Sequence, residues 1–235
     1  MKMLTNKNDQ SHIIIVGAGG TGGWLASFLN RVKDDHEVTI IDADIVEKKN
    51  LVRQNFIEQD INKNKAEVIG SRYEFDHIVP FYLSESSQLE EVVKASSLSP
   101  IIVGAVDNNA SRLIIKQFLD SYDSDVLWVD SGNSERDGQV IVTGLDENGN
   151  YIDGFSDPFT LHPELKDTTE DNRHPDDISC AEQSESALQN VGANIFAATT
   201  IFGILNKWLA KEPLLSNEIK FNSATVSMYQ YEVNK

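Results

Sequence analysis

The feature that most constrains the fold is a glycine-rich turn between an apolar strand and an amphipathic helix. The sequence IIIVGAGGTGGWLASFL runs from Ile13 to Leu29 and places the pattern G-x-G-x-x-G directly after the strand. Glycines at these positions permit a tight turn and let backbone N–H groups at the helix N-terminus approach phosphate groups. The turn therefore predicts a nucleotide site that includes Gly17, Gly19, Gly20 and Gly22.

Strands and helices alternate along the first 144 residues. Apolar runs typical of strands buried in a sheet begin near residues 12, 37, 76, 100, 125 and 138, with amphipathic helical segments between several of them. This alternation predicts an α/β domain with a doubly wound, mostly parallel, Rossmann-like sheet and helices on both faces. Ligands bind such sheets beyond the carboxyl ends of the strands.

The pattern changes after the nucleotide-binding core predicted for residues 1–144. Residues 145–186 form an acidic crossover loop, which is either a solvated segment or a docking site for a basic protein partner. Residues 187–235 are expected to complete the same domain. They contain an apolar helical stripe from Leu188 to Leu209, which fits core packing or a dimer seam, and one closing strand from Ile219 to Val233. Phe221, Tyr229 and Tyr231 would share one face of that strand.

Composition excludes several classes of function. The 235 residues carry a formal net charge of -17, which disfavours nucleic-acid binding and attachment to an anionic membrane surface. The polar first residues and the lack of a long apolar run lead us to expect a cytoplasmic protein. Cys180 is the single cysteine, so we expect neither an internal disulfide nor a structural zinc site built from cysteines.

A charged segment follows the second strand and distinguishes an ATP site from a dinucleotide site. Asp42 ends that strand at a position suited to bind a ribose hydroxyl. The segment DADIVEKKNLVRQNF and the following NKNKAEV add polar side chains that suit a triphosphate better than a pyrophosphate bridge. These are Asp44, Asn50, Arg53, Gln54 and Lys65. For either cation alone, a solvated helix face is the alternative.

A third motif, GAVDNNASR, places Asp107 at the end of another strand facing the same crevice. A carboxylate beside a triphosphate suits Mg²⁺, which prefers one or two carboxylates together with phosphate oxygens and water. The alternative is that Asp107 caps the next helix, with Asn108 and Asn109 forming the turn.

The segments GAGGTGG, DADIVEKKNLVRQNF, KNKAEV and VDNNASR, in this order, resemble the ThiF/MoeB family, the bacterial relatives of ubiquitin-activating enzymes. The most specific part is Asp-x-Asp-x-Val-x-x-x-Asn-Leu-x-Arg-Gln, and the resemblance extends from Ile13 to Gly144. Within the family, the chain also resembles the ThiF-like branch found in plasmid-borne PRTRC gene sets.

The resemblance implies an adenylyltransferase that uses ATP and Mg²⁺. Its substrate would be a small ubiquitin-like or sulfur-carrier-like protein whose C-terminal Gly-Gly carboxylate attacks the α-phosphate, giving an acyl-adenylate and pyrophosphate. Asp42 would hold the ribose and Asp107 the Mg²⁺, while Asn50, Arg53 and Lys65 contact phosphates. The resemblance also implies a homodimer.

Several relatives carry a thiol in the crossover loop that accepts the activated acyl group, which makes Cys180 a candidate thioester acceptor. Its acidic neighbours Asp176, Asp177 and Glu182 would raise the pKa of the thiol, which favours a structural cysteine instead.

One departure from the family affects turnover. Many relatives carry an N-terminal arginine that reaches the partner subunit's ATP, whereas no arginine precedes Arg31 in this sequence. We expect another residue or a partner protein to supply that charge, or a weaker stabilisation of pyrophosphate. Two alternatives stay open. One is a non-catalytic module that binds ATP or a ubiquitin-like protein. The other is an NAD(P)-dependent oxidoreductase, which leaves Arg53, Lys65 and Asp107 together unexplained.

Overall fold

A single twisted sheet organises the part of the chain that the computed structural model describes, which is residues 3–33, 35–168 and 191–232. In these residues the strand order is β3-β2-β1-β4-β5-β6-β7-β8. The first five strands are parallel and the last three extend the sheet in antiparallel fashion, so the predicted α/β class is confirmed. The strands are β1 (Ser11–Val16), β2 (Glu37–Ile41), β3 (His77–Val79), β4 (Ser99–Gly104), β5 (Val126–Asn133), β6 (Asp137–Leu145), β7 (Ser216–Asn222) and β8 (Ser227–Glu232).

Helices cover both faces of the sheet because successive residues of the parallel strands alternate between two apolar cores. In β1, Ile13 and Ile15 face one core, while Ile14 and Val16 face the other. Helices α1, α2 and α6 pack on the first core, and α3, α4 and α5 pack on the second. Their bounds are α1 (Gly20–Leu29), α2 (Lys65–Tyr73), α3 (Ser86–Lys94), α4 (Asn109–Ser121), α5 (Pro158–Leu161) and α6 (Val191–Leu209), with 3₁₀ helices at Lys48–Val52, Glu58–Asp60 and Pro163–Lys166.

The topology creates a crevice at the carboxyl ends of the parallel strands. Strand β1 lies between β2 and β4, and Val16 pairs in register with Ile41 on one side and Gly104 on the other. The connections that follow β1 and β4 leave towards opposite faces, so a cleft opens where the strand order reverses. The chain segments after Val16, Ile41 and Gly104 therefore meet at the mouth of this cleft.

The structure corrects two predicted strands. The apolar run from Asp76 to Leu83 forms only the three-residue strand β3, because Pro80 has no N–H to continue the ladder. The predicted closing strand is a hairpin of β7 and β8. Cross-strand pairing places Tyr229 opposite Lys220, so Tyr229 is exposed on the sheet face opposite the buried Phe221. Helix α3 was not predicted.

The first part of the acidic segment packs against the sheet. Phe155 and Phe159 are buried, and Asp157 caps α5 by accepting hydrogen bonds from the N–H groups of Phe159 and Thr160. Residues 169–190, with the candidate acceptor Cys180, lie outside the described residues, and the division of the chain into three regions stays a prediction. No helix of the described ranges has the length and apolar character needed to cross a membrane.

Candidate functional site

A cavity of about 290 Å³ lies in the cleft at the carboxyl ends of the parallel strands. It brings together residues from the segments after β1, β2, β3 and β4, from the end of β5 and from the start of α6. Most of the predicted site residues line its wall, namely Gly17, Gly19, Gly20, Asp42, Asp44, Arg53, Gln54, Lys65 and Asp107. Gly22 and Asn50 lie outside this lining.

The glycine turn is required by close backbone packing. Gly17 has φ +101°, a left-handed backbone conformation that residues with a Cβ rarely adopt. In addition, a Cβ at this position would lie 2.5 Å from the Ala105 carbonyl oxygen. A Cβ on Gly22 would lie 1.8 Å from the Gly17 carbonyl oxygen. No side chain caps the N-terminus of α1, which begins at Gly20 with Gly19 as its N-cap. The first N–H groups of this helix therefore suit an anion.

Asp42, Asp44 and Lys65 form a connected cluster on the β2 side of the cavity. The Asp42 carboxylate accepts hydrogen bonds from the N–H groups of Ala18 (2.7 Å) and Asp44 (2.8 Å), and each oxygen keeps a second lone pair for a ligand hydroxyl. Burial raises the pKa of Asp42, although Lys65 partly opposes this. The buried Lys65 places its Nζ 2.7 Å from Asp44 Oδ2. Burial alone would raise the pKa of Asp44, but hydrogen bonds from Lys65 and Tyr82 outweigh it and hold that pKa below its usual value.

The segment after β2 places Arg53 and Gln54 in the cavity wall. The Arg53 carbonyl oxygen accepts hydrogen bonds from Trp24 Nε1 (3.2 Å) on α1 and from Asn194 Nδ2 (3.4 Å) on α6, which ties this segment to both helices. The Gln54 Oε1 atom is buried and has no hydrogen-bond partner in the described part of the chain. Asn50 is buried and caps the start of the 3₁₀ helix Lys48–Val52, because its Oδ1 accepts a 2.8 Å hydrogen bond from the Glu47 N–H.

The structure assigns the helix cap of the third motif to Asn108 and not to Asp107. Asn108 is the N-cap of α4, since its Oδ1 accepts a 2.8 Å hydrogen bond from the Ser111 N–H. The neighbouring Asp107 carboxylate is exposed and lines the cavity. A single accessible carboxylate beside an anion-binding turn fits Mg²⁺, which takes its other ligands from phosphate and water. The described residues contain no cluster of three or more His, Cys, Asp or Glu side chains suited to hold a metal ion by themselves.

The reasoning from sequence missed Arg112, although it lies within the motif GAVDNNASR. The buried Arg112 guanidinium donates to Asp130 Oδ2 (3.0 Å), to the carbonyl oxygens of Val106 (2.7 Å) and Ser131 (2.9 Å), and to Asn109 Oδ1 (3.2 Å). Burial raises the pKa of Asp130, and Arg112 opposes that rise. This arginine therefore joins the ends of β4 and β5 to the start of α4 and supports the loop that carries Asp107.

Four more cavity residues were also missed. Asn194 on α6 hydrogen-bonds Asn133 at the end of β5, with Asn133 Nδ2 2.9 Å from Asn194 Oδ1. Phe81 and Tyr82 line the opposite side of the cavity. For Asn194 the sequence signal was a polar residue inside the apolar stripe of α6. For Phe81 and Tyr82 it was a proline directly before two aromatic residues.

A second, more open groove of about 710 Å³ adjoins the cavity, and Gly132 and Asn133 line both. The groove runs over β6, β7 and β8, where Gln139, Lys220 and Tyr229 pair across the strands on one sheet face. The Lys220 ammonium lies 5.3 Å from the centre of the Tyr231 ring. The cavity thus continues into a groove with aromatic and polar walls.

Comparison with known proteins gives one family match and several structural matches. The sequence model of the ThiF family matches residues 3–233. This match does not separate branches of the family, so the PRTRC-type assignment stays a prediction. No curated protein matches the chain.

Three solved structures illustrate the shared fold. PaaA is 19% identical with a TM-score of 0.65, covering 97% of this chain and 65% of its own. MccB of E. coli with AMPCPP and MccA is 18% identical with a TM-score of 0.65, covering 96% and 64%. MccB of E. coli with ATP is 20% identical with a TM-score of 0.64, covering 96% and 64%. The chain therefore spans less than two thirds of the length of these structures.

Proposed function

The chain belongs to the ThiF family, and from that premise we propose that it is an ATP-dependent adenylyltransferase. Its acyl substrate is the C-terminal carboxylate of a small ubiquitin-like or sulfur-carrier-like protein that ends in Gly-Gly. The observation that carries the proposal is the convergence, in one cavity, of an uncapped helix N-terminus, the cations Arg53 and Lys65, and the exposed Asp107 carboxylate. A redox dinucleotide needs no such set of groups, so the oxidoreductase alternative explains the cavity less well than an adenylyltransferase does.

In this proposal ATP lies with its phosphates at the N-terminus of α1 and its ribose against Asp42. The solved structures of E. coli MccB with ATP and with AMPCPP support a nucleotide as a ligand of this fold. Arg53 and Gln54 contact the phosphates from one wall and Lys65 from the other. An ammonium carries three donors and Asp44 accepts one of them, so Lys65 keeps donors for phosphate oxygens.

Asp107 is the proposed ligand of Mg²⁺, and Arg112 holds the loop on either side of it through the Val106 carbonyl oxygen and the Asn109 side-chain oxygen. Mg²⁺ bound there supplies charge neutralisation for the phosphate oxygens. Asp42 and Asp44 are poor ligands for the ion, because their carboxylates are already engaged with backbone N–H groups and with Lys65 and Tyr82.

The chemical step requires positioning and charge stabilisation. One carboxylate oxygen of the substrate attacks the α-phosphorus, the bond from the α-phosphorus to the bridging oxygen breaks, and pyrophosphate leaves with the bonding electrons. The attacking carboxylate is already ionised, so the protein needs no general base. Arg53 and Lys65 stabilise the charge that develops on the phosphate oxygens and on pyrophosphate.

The groove over β6, β7 and β8 supports a route for the protein substrate. A C-terminal tail that enters past Gly132 and Asn133 reaches the cavity at the end where Gly20 and Asn194 lie. Structures of MccB contain MccA, which supports a polypeptide substrate for this fold. A Gly-Gly tail suits this route because its residues carry no side chains that the junction must accommodate.

Two further parts of the proposal rest on the family resemblance. The protein acts as a homodimer, and Cys180 accepts the acyl group from the adenylate as a thioester, releasing AMP. A covalent complex with the substrate protein that is absent from Cys180→Ala and is cleaved by hydroxylamine is the expected result for Cys180. If the same complex forms in Cys180→Ala, the acceptor is another group.

The experiment that tests the proposed function is ATP–pyrophosphate exchange in the presence of small proteins that end in Gly-Gly. Lys65→Ala and Asp107→Ala should each lower the exchange rate by about 100-fold or more, because each removes a charge that faces the reacting phosphates. Lys94→Ala, an exposed lysine on α3, is the matched control and should retain the full rate.

The outcomes separate the candidate functions. ATP binding without exchange for any Gly-Gly substrate would replace the enzyme with a non-catalytic binding module. Tight NADH binding without ATP binding would establish the oxidoreductase instead. A full exchange rate in a folded Lys65→Ala or Asp107→Ala variant, with a native circular dichroism spectrum, would contradict the assigned roles of these residues.

A further inference from the structure

Two aromatic residues, Phe81 and Tyr82, stand at the rim of the nucleotide cavity. Both line the cavity, yet 46% of Phe81 and 66% of Tyr82 is exposed. The next residue, Leu83, is buried in the core under α3 and fixes the segment. Exposed aromatic rings on the wall of a cavity present apolar surface that a flat ligand would remove from water.

The Tyr82 ring is held in place from its polar end. Its hydroxyl donates a hydrogen bond to Asp44 Oδ1, and the other oxygen of Asp44 accepts from the buried Lys65 at 2.7 Å. The hydrogen bond to Asp44, followed by burial, raises the pKa of Tyr82 well above its usual value, so the hydroxyl stays protonated as a donor. A ring anchored in this way offers a surface of fixed orientation.

The strand order determines which part of a bound nucleotide would lie against Phe81 and Tyr82. Strands β1, β2 and β3 are neighbours, and each ends at the mouth of the cleft. The phosphate-binding turn follows β1, Asp42 follows β2, and Phe81 and Tyr82 follow β3. Neighbouring strands lie roughly 4.8 Å apart, so a nucleotide laid across them from phosphate to ribose carries its base to the end of β3.

We propose that Phe81 and Tyr82 bind the base of the nucleotide, and that the Tyr82 ring makes the protein prefer purine over pyrimidine nucleotides. The inference rests on the proposed function, because it takes a nucleoside triphosphate as the ligand of the cavity. Stacking on an aromatic side chain depends on the area of the π-face, which is larger for a purine than for a pyrimidine. The Tyr82 hydroxyl orients the ring, and the ring makes the contact with the base.

Equilibrium binding by isothermal titration calorimetry tests this inference without catalysis. The ligands are ATP, CTP and inorganic tripolyphosphate, each with Mg²⁺, and the variants are Tyr82→Ala, Tyr82→Phe and Phe81→Ala. Tyr151→Ala is a matched control, because Tyr151 also donates to a carboxylate paired with a lysine, Asp120 with Lys116, but lies outside the cavity.

We expect Tyr82→Ala to weaken ATP binding about tenfold and to reduce the preference for ATP over CTP, while the affinity for tripolyphosphate stays unchanged. Phe81→Ala should weaken ATP binding less, and Tyr82→Phe should retain affinity within about threefold of the original chain because it keeps the ring. Equal ATP affinity in Tyr82→Ala and Tyr151→Ala would overturn the inference.

Two other results also count against the base-binding role. A loss in Tyr82→Phe as large as in Tyr82→Ala would assign the effect to the hydroxyl and its contact with Asp44. A parallel loss of tripolyphosphate affinity in Tyr82→Ala would mean that the variant disturbs the phosphate site. If the original chain binds tripolyphosphate but shows no added affinity for ATP, the proposed use of ATP fails as well, so the two failures are distinguishable.

Discussion

At the scale of single residues, His12 combines full burial with an ionisable ring. It lies in β1, where its Nε2 is 2.7 Å from Thr39 Oγ1 and its Nδ1 has no hydrogen-bond partner among the described residues. The pKa of His12 is lowered to about 4, and burial is the largest cause. That value includes a smaller lowering by nearby His77 and the opposing effects of Glu37 and Asp76. The ring is therefore neutral in the folded protein at neutral pH.

This residue makes stability depend on pH in a defined direction. In the unfolded chain His12 takes up a proton near pH 6.5, whereas in the folded protein it does so near pH 4. The unfolded state thus binds more protons over this window, so stability falls as pH falls from 6.5 to 4, by at most about 3 kcal/mol. The contribution of His12 to the free energy of unfolding is fully present above pH 6.5.

Urea unfolding at pH 7.5 and pH 5.0 tests the effect. Between these pH values the original chain should lose about 2 kcal/mol more unfolding free energy than His12→Gln, whose amide does not titrate. Other titrating groups, including His36, are common to both proteins and cancel in the difference. Equal losses in the two proteins would show that His12 does not resist protonation in the fold.

At the scale of elements, Arg112 joins parts of the chain that lie far apart in sequence. Its guanidinium bonds link α4 to the ends of β4 and β5, and its partner Asp130 is almost fully buried. Removing one member of such a pair leaves a buried charge without compensation. A lysine cannot replace the planar fork that reaches the carboxylate and two carbonyl groups together.

We expect Arg112→Met to lower the free energy of unfolding by about 3–5 kcal/mol, and Arg112→Lys to cause a smaller but clear loss. Lys116→Met on the same helix removes a more exposed pair with Asp120 and should cost at most about 1 kcal/mol. Urea denaturation followed by circular dichroism measures all three variants. If Arg112→Met and Lys116→Met are equally stable, the buried pair does not anchor α4 to the sheet.

Element boundaries also show where local patterns mislead. The residues from Asp76 to Leu83 have strand-like composition, but β3 ends before Pro80. Phe81 and Tyr82 therefore lie outside the strand and line the cavity. The C-terminal segment reads as one strand because its turn lacks glycine and proline. Instead, Val226 takes a left-handed conformation with φ 52° at that turn. Both errors changed the assignment of exposed aromatic residues.

At the scale of the whole molecule, the sheet has two halves with different contributions to the site. The parallel half, β1 to β5, presents the proposed nucleotide cavity at the ends of its strands. The antiparallel half, β5 to β8, presents a groove on one face, and β5 belongs to both halves. Gly132 and Asn133 on β5 join the two surfaces, as the proposed reaction between a nucleotide and a polypeptide tail would require.

The sequence by itself determined the α/β class, the glycine turn and the charged residues of the cavity wall other than Arg112. These features are local: a buried strand, a tight turn and a strand-end carboxylate are each written in a few consecutive residues. Only the tertiary structure decided that Arg112 pairs with Asp130, that Asn194 reaches Arg53, and that Tyr82 bonds to Asp44. These pairs depend on strand order and helix packing, which bring together residues that no short sequence pattern relates.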